Sequence, residues 1–435
     1  LLNLKPERID DLGSARRKSI MERSMEDISS VFEDTRRIVE DVRRNGDSVA
    51  LKHYKKHKDD ITASDLEVTA DEIAIAYKRI NPHVVESLKK AAENIVRFHK
   101  AQLEREMWSI EVQKGILAGR ITRAMDIVGC YIPGGRAVYP SSILMTVLPA
   151  KVAGVKDIIA VTPPERGMTV NPAILVAADI AGCDRIFKVG GPWGVAGLAY
   201  GTETMPKVHK IVGPGNKYVT AAKMIVYGQV DIDSPAGPSE SLILADESGN
   251  ADFITVDFLS QAEHDPDSAA VLVTTSAELA QRVCENIAKE YETLPRKEIF
   301  ESSLNRHSYV LVAKDMEQAI DFTNEYAAEH LQIITKDPFI TLNSIRHAGS
   351  IFMGPYAPVP VGDYASGTNH VLPTGQCARM FSGLSVDDFI KKPTFQYLSK
   401  EGLTGLKDTV ITLAEEEGLP LHARTIKARF EKAEG

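Results

Sequence analysis

Glu329 and His330, adjacent in Ala327-Ala328-Glu329-His330-Leu331, set a carboxylate beside an imidazole where a helical pattern gives way to the strand-like Leu331-Gln332-Ile333-Ile334. Histidine titrates near neutral pH, so His330 can take an alcohol's proton as a hydride departs, and the adjacent glutamate can activate water at a later step. Such a division of labour suits a double oxidation; a solvated ion pair at a helix end is the plain alternative for an isolated Glu-His dipeptide. A second group could hold a metal. Gln261 and His264, three residues apart in Leu259-Ser260-Gln261-Ala262-Glu263-His264-Asp265-Pro266, end an apolar helical stretch and share one face, so both can reach one ion. A zinc site takes about four nitrogen, oxygen or sulfur donors, and Asp363 in Gly362-Asp363-Tyr364 and His422 near the C-terminus are candidates for the rest. Two imidazoles, one carboxylate and one amide leave the ion net positive, able to hold and polarise a substrate's heteroatoms. Helix-end hydrogen bonding is the alternative for a bare Gln-x-x-His pair.

Three tight glycine clusters, Pro133-Gly134-Gly135, Gly190-Gly191-Pro192 and Gly213-Pro214-Gly215-Asn216, stand where strands should end. Glycine tolerates positive φ and lets backbone N–H groups approach an anion, so such turns at the carboxyl ends of parallel strands suit a nucleotide. None completes G-x-G-x-x-G, because Tyr218 occupies the place of the third glycine. Taken alone, these turns also suit structural corners.

These groups need elements to hold them. Over residues 25–44 and 82–104 apolar residues recur at helical spacing among many charges, and Asn45-Gly46-Asp47 reads as a stop and restart. Residues 1–120 are therefore expected to form a helical N-terminal region. From Met125 the texture changes: Ile127-Val128-Gly129-Cys130-Tyr131, Ile158-Ile159-Ala160-Val161 and Ile186-Phe187-Lys188-Val189 alternate with apolar helical stretches over 142–152 and 172–180. Alternating β and α units predict a mostly parallel sheet, here a first α/β, nucleotide-binding domain over residues 121–238. The alternation restarts with Leu242-Ile243-Leu244-Ala245, Ala270-Val271-Leu272-Val273 and Tyr309-Val310-Leu311-Val312, the last two separated by a helical stretch over 277–289. A second α/β domain over residues 239–375 would carry the metal and catalytic candidates. Residues 376–435 form a tail that ends in a charged helical stretch from about 407 to 433 and packs on its own body or crosses to a partner subunit. The expected fold class is α/β, with two Rossmann-like α/β domains of mostly parallel sheets, a helical N-terminal region and a helical C-terminal tail.

Composition narrows the function classes. The 435 residues are 43% hydrophobic and 26% charged, enough for two or three packed domains of ordinary soluble character. Lysine and arginine total 51 against 60 aspartate and glutamate, a formal charge of −9 with no basic block to grip phosphate backbones, so nucleic acid is not an expected partner. Cys130, Cys183, Cys284 and Cys377 form no C-x-x-C pair, which argues against a disulfide framework or a thiolate metal site and for a reducing, cytoplasmic compartment. No apolar run approaches the roughly 20 residues that cross a bilayer, and no membrane association is expected. A start at Leu1 rather than methionine leaves room for an organellar targeting segment removed upstream.

The segments together resemble the histidinol dehydrogenase family over nearly the whole chain. The resemblance is carried by long runs in a specific order: Tyr131-Ile132-Pro133-Gly134-Gly135, Tyr200-Gly201-Thr202-Glu203-Thr204, Lys210-Ile211-Val212-Gly213-Pro214-Gly215-Asn216, Ala236-Gly237-Pro238-Ser239-Glu240, the 259–266 run, Glu329-His330, and residues 362–374. It implies a homodimer of α/β domains with an intertwined C-terminal tail, one zinc per subunit, and NAD as oxidant. It further implies Gln261, His264, Asp363 and His422 as zinc ligands, His422 reaching in from the partner subunit, and Glu329 and His330 as the catalytic pair. Ser239 and Glu417 fall where the family contacts substrate, beside Gln261, His264, His330, Asp363 and His422; Tyr131 and Asn216 fall where it contacts NAD. The implied reaction is two NAD-linked oxidations of L-histidinol, through L-histidinaldehyde, to L-histidine, in which His330 accepts the hydroxyl proton and Glu329 activates water. Zinc would mainly orient the substrate, and no cysteine is required.

The chain departs from the family pattern twice. After Gly190-Gly191 the family usually continues Ala-Gln, the glutamine contributing to the nucleotide site, whereas Pro192-Trp193 stands here, an indole that can pack against the cofactor. Arg136 follows the Pro-Gly-Gly turn where a small residue is commoner, adding positive charge near the expected nucleotide or substrate. The nearest rival is a dehydrogenase of the same fold for another alcohol, such as a sulfonated propanediol that Arg136 could pair; Glu417 and the intact Gly362-Asp363-Tyr364 run argue against it. A zinc hydrolase would have no use for the glycine loops, and an inactive scaffold would be indifferent to loss of His330.

Overall fold

Leu242 and Leu244 face one hydrophobic layer and Ile243 and Ala245 the opposite one, the period-two alternation of a strand buried on both sides. The computed structural model, which describes residues 2, 4–23, 28–134, 138–235 and 237–431, builds two wholly parallel sheets from such runs. The first sheet has five strands in spatial order Arg185–Phe187, Asp157–Val161, Ile127–Tyr131, Lys210–Val212, Asp231–Ile232. Numbered along the chain, that is third, second, first, fourth, fifth, the doubly wound order. The reversal lies between Ile127–Tyr131 and Lys210–Val212, and crevices at such points receive ligands. The helix Pro140–Ala153, buried from Ser141 to Ala150, fills one face of this sheet, as an element apolar all round must.

The second sheet repeats the order with strands Tyr309–Val312, Ala269–Thr274, Glu240–Ala245, His330–Ile334 and Ser350–Met353, and adds Pro6–Arg8 at its edge. Ser241 pairs with His330 across the reversal. Helices Ala251–Ala262 and Ala277–Tyr291 pack on one side through Ile254, Phe258, Val283 and Ile287. Burying each such side chain contributes roughly 1.5–3 kcal/mol.

In the N-terminal region the helix Ser29–Asn45 stops at Gly46, whose φ of 54° suits glycine, and Asp47–Tyr54 restarts the helix. Asn81 caps the helix Pro82–Lys100, with proline in its first turn. Within residues 1–120, expected as a helical region, the structure also has three strands beyond that expectation. Pro6–Arg8 is too short to show a period, and its proline suits the sheet edge, where a donor can be spared. Met107–Gln113 and Ile116–Ile121 form a hairpin whose alternation of Trp108, Ile110 and Val112 follows directly on a long helical pattern.

That hairpin belongs to a second compact unit, Leu103–Ala124 with Ile390–Gly435; Leu1–Gln102 and Met125–Phe389 form the first. The second unit is a three-stranded antiparallel sheet, Thr394–Leu398, Ile116–Ile121 and Met107–Gln113, a short pairing of Ile390–Lys391 with Arg123–Ala124, and the helices Lys400–Glu416 and Pro420–Lys427. Gly418, at φ 72°, breaks the tail into these two helices.

Candidate active site

In the second sheet the candidate chemistry gathers at the amino ends of the two strands that flank the reversal. Glu329 precedes His330–Ile334 and Ser239 precedes Glu240–Ala245, and the parallel register sets them side by side. Ser239 Oγ and the Glu240 N–H both donate to Glu329 Oε2 at 2.8 Å, and the Glu329 N–H donates back to Glu240 Oε1 at 3.1 Å. His330 Nδ1 lies 3.1 Å from the Glu240 carbonyl oxygen and 3.4 Å from Glu329 Oε2. A carbonyl only accepts, so Nδ1 carries a proton, and in the neutral ring the lone pair is on Nε2. That Nε2 is buried without a hydrogen-bond partner, 3.6 Å from Asp363 Oδ1. Burial works against a charged imidazole here, but Glu329 and Asp363 outweigh it and hold His330 well above its usual pKa.

Gln261 occupies the last turn of Ala251–Ala262, is buried, and donates from Nε2 to Ser239 Oγ at 3.2 Å. His264 lies just past the helix end and is exposed, its N–H closing a 3.4 Å turn onto the Gln261 carbonyl. Asp265-Pro266 explains the early stop, since a residue before proline avoids helical backbone. Asp363 is on the short helix Val359–Tyr364. Burial pushes its carboxyl up, but the imidazoles of His330, His370 and His264 prevail and hold it below the usual carboxylate range. Gln261, His264, Asp363, Ser239, Glu329 and His330 all belong to the first unit; Glu417 and His422 are exposed residues of the second, at the end of Lys400–Glu416 and within Pro420–Lys427. Among the described residues no group of three or more His, Cys, Asp and Glu side chains is close enough to hold a metal ion.

The glycine clusters follow strands of the first sheet at their carboxyl ends. Gly213, at φ 120°, succeeds Lys210–Val212, and a Cβ there would lie 2.2 Å from the Tyr131 carbonyl oxygen, so only glycine lets the two strand ends close the crevice this tightly. Tyr131, buried, accepts the Gly191 N–H on its hydroxyl at 2.9 Å, and burial pushes its phenol up to about 12. Asn216 is exposed and caps the helix Lys217–Val226, accepting from the Tyr218 and Val219 N–H groups. Trp193 stacks on His53 with ring centroids 3.7 Å apart. Gly135 and Arg136 lie outside the described residues.

The two sheets meet through short connections. Only residues 233–239 link Asp231–Ile232 to Glu240–Ala245, at most about 3.5 Å per residue. Asn369 donates to the Met145 carbonyl at 2.7 Å, and the neighbouring His370 bridges Ser142 Oγ at 3.2 Å and the Asp363 carbonyl at 2.9 Å. The helix that follows Ile127–Tyr131 thus touches the segment beside Asp363, next to a carboxylate and imidazole cluster suited to moving a proton. His370, Glu240 and Arg23 also belong to this neighbourhood, and sequence reasoning missed them as individuals. His370 and Glu240 sit inside family-like runs, whereas Arg23 shows no local signature.

A family model described as "Histidinol dehydrogenase" matches residues 21–430. A histidinol dehydrogenase of Methanococcus maripaludis is 53% identical over 412 residues, 94% of this chain and 96% of that one. Another, of Methanothermobacter thermautotrophicus, is 50% identical over 423 residues, 97% of this chain and 99% of that one. Among solved structures, the crystal structure of histidinol dehydrogenase from Elizabethkingia anophelis superposes with a TM-score of 0.93 at 36% identity, covering 99% of this chain and 98% of that one.

Proposed function

The chain belongs to the histidinol dehydrogenase family, and from that premise we propose that Glu329 and His330 carry the chemistry by which it oxidises L-histidinol, through L-histidinaldehyde, to L-histidine. It is an NAD-dependent oxidoreductase of histidine biosynthesis, acting first on an alcohol and then on an aldehyde. The matched relatives favour this substrate over a sulfonated propanediol.

The observation that best supports the roles of the pair is the unpartnered, buried Nε2 of His330, whose opposite nitrogen is tied to a carbonyl oxygen. In the first oxidation His330 Nε2 takes the hydroxyl proton of the carbinol. Glu329, aimed by Ser239 and the Glu240 N–H, takes a proton from the water that adds to the aldehyde. Tyr131 and Asn216 would line the NAD site, and the nucleotide, when bound there, would supply a hydride acceptor for each oxidation. Ser239, Gln261, His264, His330, Asp363, Glu417 and His422 contact the substrate.

The donor chemistry of the proposed ligands suits a zinc ion. Gln261, His264 and Asp363 offer an amide, an imidazole and a carboxylate held in its charged form, an N/O set that suits zinc. They would hold it, with His422 as fourth donor. When bound, one zinc per subunit supplies positive charge that orients the substrate's heteroatoms and offsets the carboxylate field on His330.

The second unit supports a homodimer in which Glu417 and His422 come from the partner subunit. Its strand Met107–Gln113 is exposed along its whole length, with Met107 and Val112 each at 62%, an apolar edge that a second subunit would cover. No helix among the described residues is long and apolar enough to cross a membrane; a cytoplasmic location fits a biosynthetic enzyme. The test is to supply L-histidinol and NAD, count NADH per alcohol consumed, and repeat after chelation and zinc restoration. About two NADH per histidinol, histidine as product, and zinc-dependent recovery are expected; absence of turnover with both cofactors bound would overturn the reading.

A further inference from the structure

Behind Glu329 and His330 lies a buried ion pair that the reaction does not use directly. Arg23 Nε stands 2.9 Å from Glu240 Oε2, and the two side chains are 2% and 3% exposed. Glu240 in turn touches both catalytic candidates: its Oε1 accepts the Glu329 N–H, its N–H donates to Glu329 Oε2, and its carbonyl accepts from His330 Nδ1. On its other side Arg23 lies 3.6 Å over the ring of the fully buried Tyr326 and donates to the Tyr326 carbonyl oxygen. Its backbone, at φ 53° and ψ −145° just past the helix Ser14–Glu22, is in a region that non-glycine residues hold only where surroundings impose it, and such strain clusters at functional sites. Burying two charges gives little net stability, because desolvation offsets their attraction. A stability role alone would be served as well by apolar side chains on an unstrained backbone.

We propose that Arg23 is a positioning residue for histidinol oxidation: through Glu240 it fixes the Glu329 carboxylate and the His330 ring at the amino ends of their adjacent strands. The proposal rests on Glu329 and His330 being the catalytic pair. Burial already pushes the Glu240 carboxyl up to about 7, against the opposing pull of Arg23. Without the guanidinium, Glu240 loses the partner that holds it charged and oriented, and the Glu329 N–H loses a firm acceptor. Lysine restores the charge but not the planar fork.

The experiment compares Arg23→Gln and Arg23→Lys in the full-length zinc-loaded enzyme. Arg23→Gln is expected to lower kcat by about 10²-fold, the scale of a small misplacement of reacting groups, with the KM for histidinol, NAD affinity and zinc content near wild type; Arg23→Lys recovers part of the loss. If Arg23→Gln does not fold, the charge-neutral double variant Arg23→Met with Glu240→Gln, which leaves no lone buried charge, reads the same loss. Wild-type kcat in whichever variant folds overturns the proposal. Glu329→Gln and His330→Asn, run alongside, separate the failures. If these lose turnover while Arg23→Gln keeps it, only the positioning role falls; if they keep turnover, the catalytic assignment falls and the proposal with it.

Discussion

His330 Nδ1 lies 3.1 Å from the backbone carbonyl oxygen of Glu240, and that contact sets which nitrogen the neutral ring leaves open. A backbone carbonyl cannot rotate away or change protonation state, so the Nδ1–H tautomer is fixed as firmly as the strand that bears it. The strand lies inside its sheet, paired on both sides. The nitrogen proposed to accept the substrate's proton, Nε2, is therefore held in one direction by the strand.

His330→Asn should fold and retain zinc, because none of the proposed ligands is replaced, yet lose about 10²–10⁴-fold in kcat, the usual worth of a positioned base. Steady-state kinetics with circular dichroism and metal analysis check this. Unchanged turnover would remove the base.

Much of this was legible in the sequence, for physical reasons that differ by element. Strands such as Asp157–Val161 and Ala269–Thr274 are buried on both faces and read as unbroken apolar runs bounded by turns. Met107–Gln113 was hidden because its alternation follows directly on a long helical pattern, and Pro6–Arg8 because three residues carry no period. Glu329 and His330 stand next to each other in sequence and could be read as a unit. The Arg23–Glu240 pair could not, since it joins a helix exit to a strand start far along the chain. Side-chain competition was hidden too: Asn216 and Tyr131, placed at the cofactor by resemblance, already serve a helix cap and a glycine N–H.

The glycine loop after Lys210–Val212 is clamped by a buried pair. Gly213 donates its N–H to Asp233 Oδ2 at 2.7 Å and accepts Lys223 Nζ on its carbonyl at 3.0 Å, and Lys223 and Asp233 also contact each other. Asp233→Ala strands Lys223 as a lone buried charge, which should cost about 3–5 kcal/mol in urea unfolding and weaken NAD binding as the loop loosens. A loss below about 1 kcal/mol would mean the pair behaves as a solvated one.

His53 offers a pH test at the same end of the sheet. Burial, then Lys56 and His57, lower its pKa to about 4, while the unfolded chain keeps the ordinary value of 6.5. Between those values the unfolded state binds the proton more readily, so the contribution of His53 is full above about pH 6.5 and fades as pH falls toward about 4. Trp193, stacked on this ring, reports the protonation by fluorescence in a Trp108→Phe background. Native emission should stay flat through about pH 6.5 and quench only near about pH 4; a transition centred near 6.5 would show His53 to be solvated. His53→Phe should remove the quenching.

Complementation tests whether a partner subunit completes each site. Suppose His422 serves the partner's site. A His422→Asn subunit then has an intact body and a Glu329→Gln subunit an intact tail, so a heterodimer of the two has one whole site and one doubly defective site. With free subunit exchange about half the dimers are mixed, and the mixture should regain about a quarter of wild-type turnover from two nearly inactive parents. If His422 instead serves its own chain, every site in the mixture lacks one residue or the other. Activity would then stay at the parental level despite demonstrated exchange, and the shared-site reading would fall while the zinc-ligand role of His422 stood.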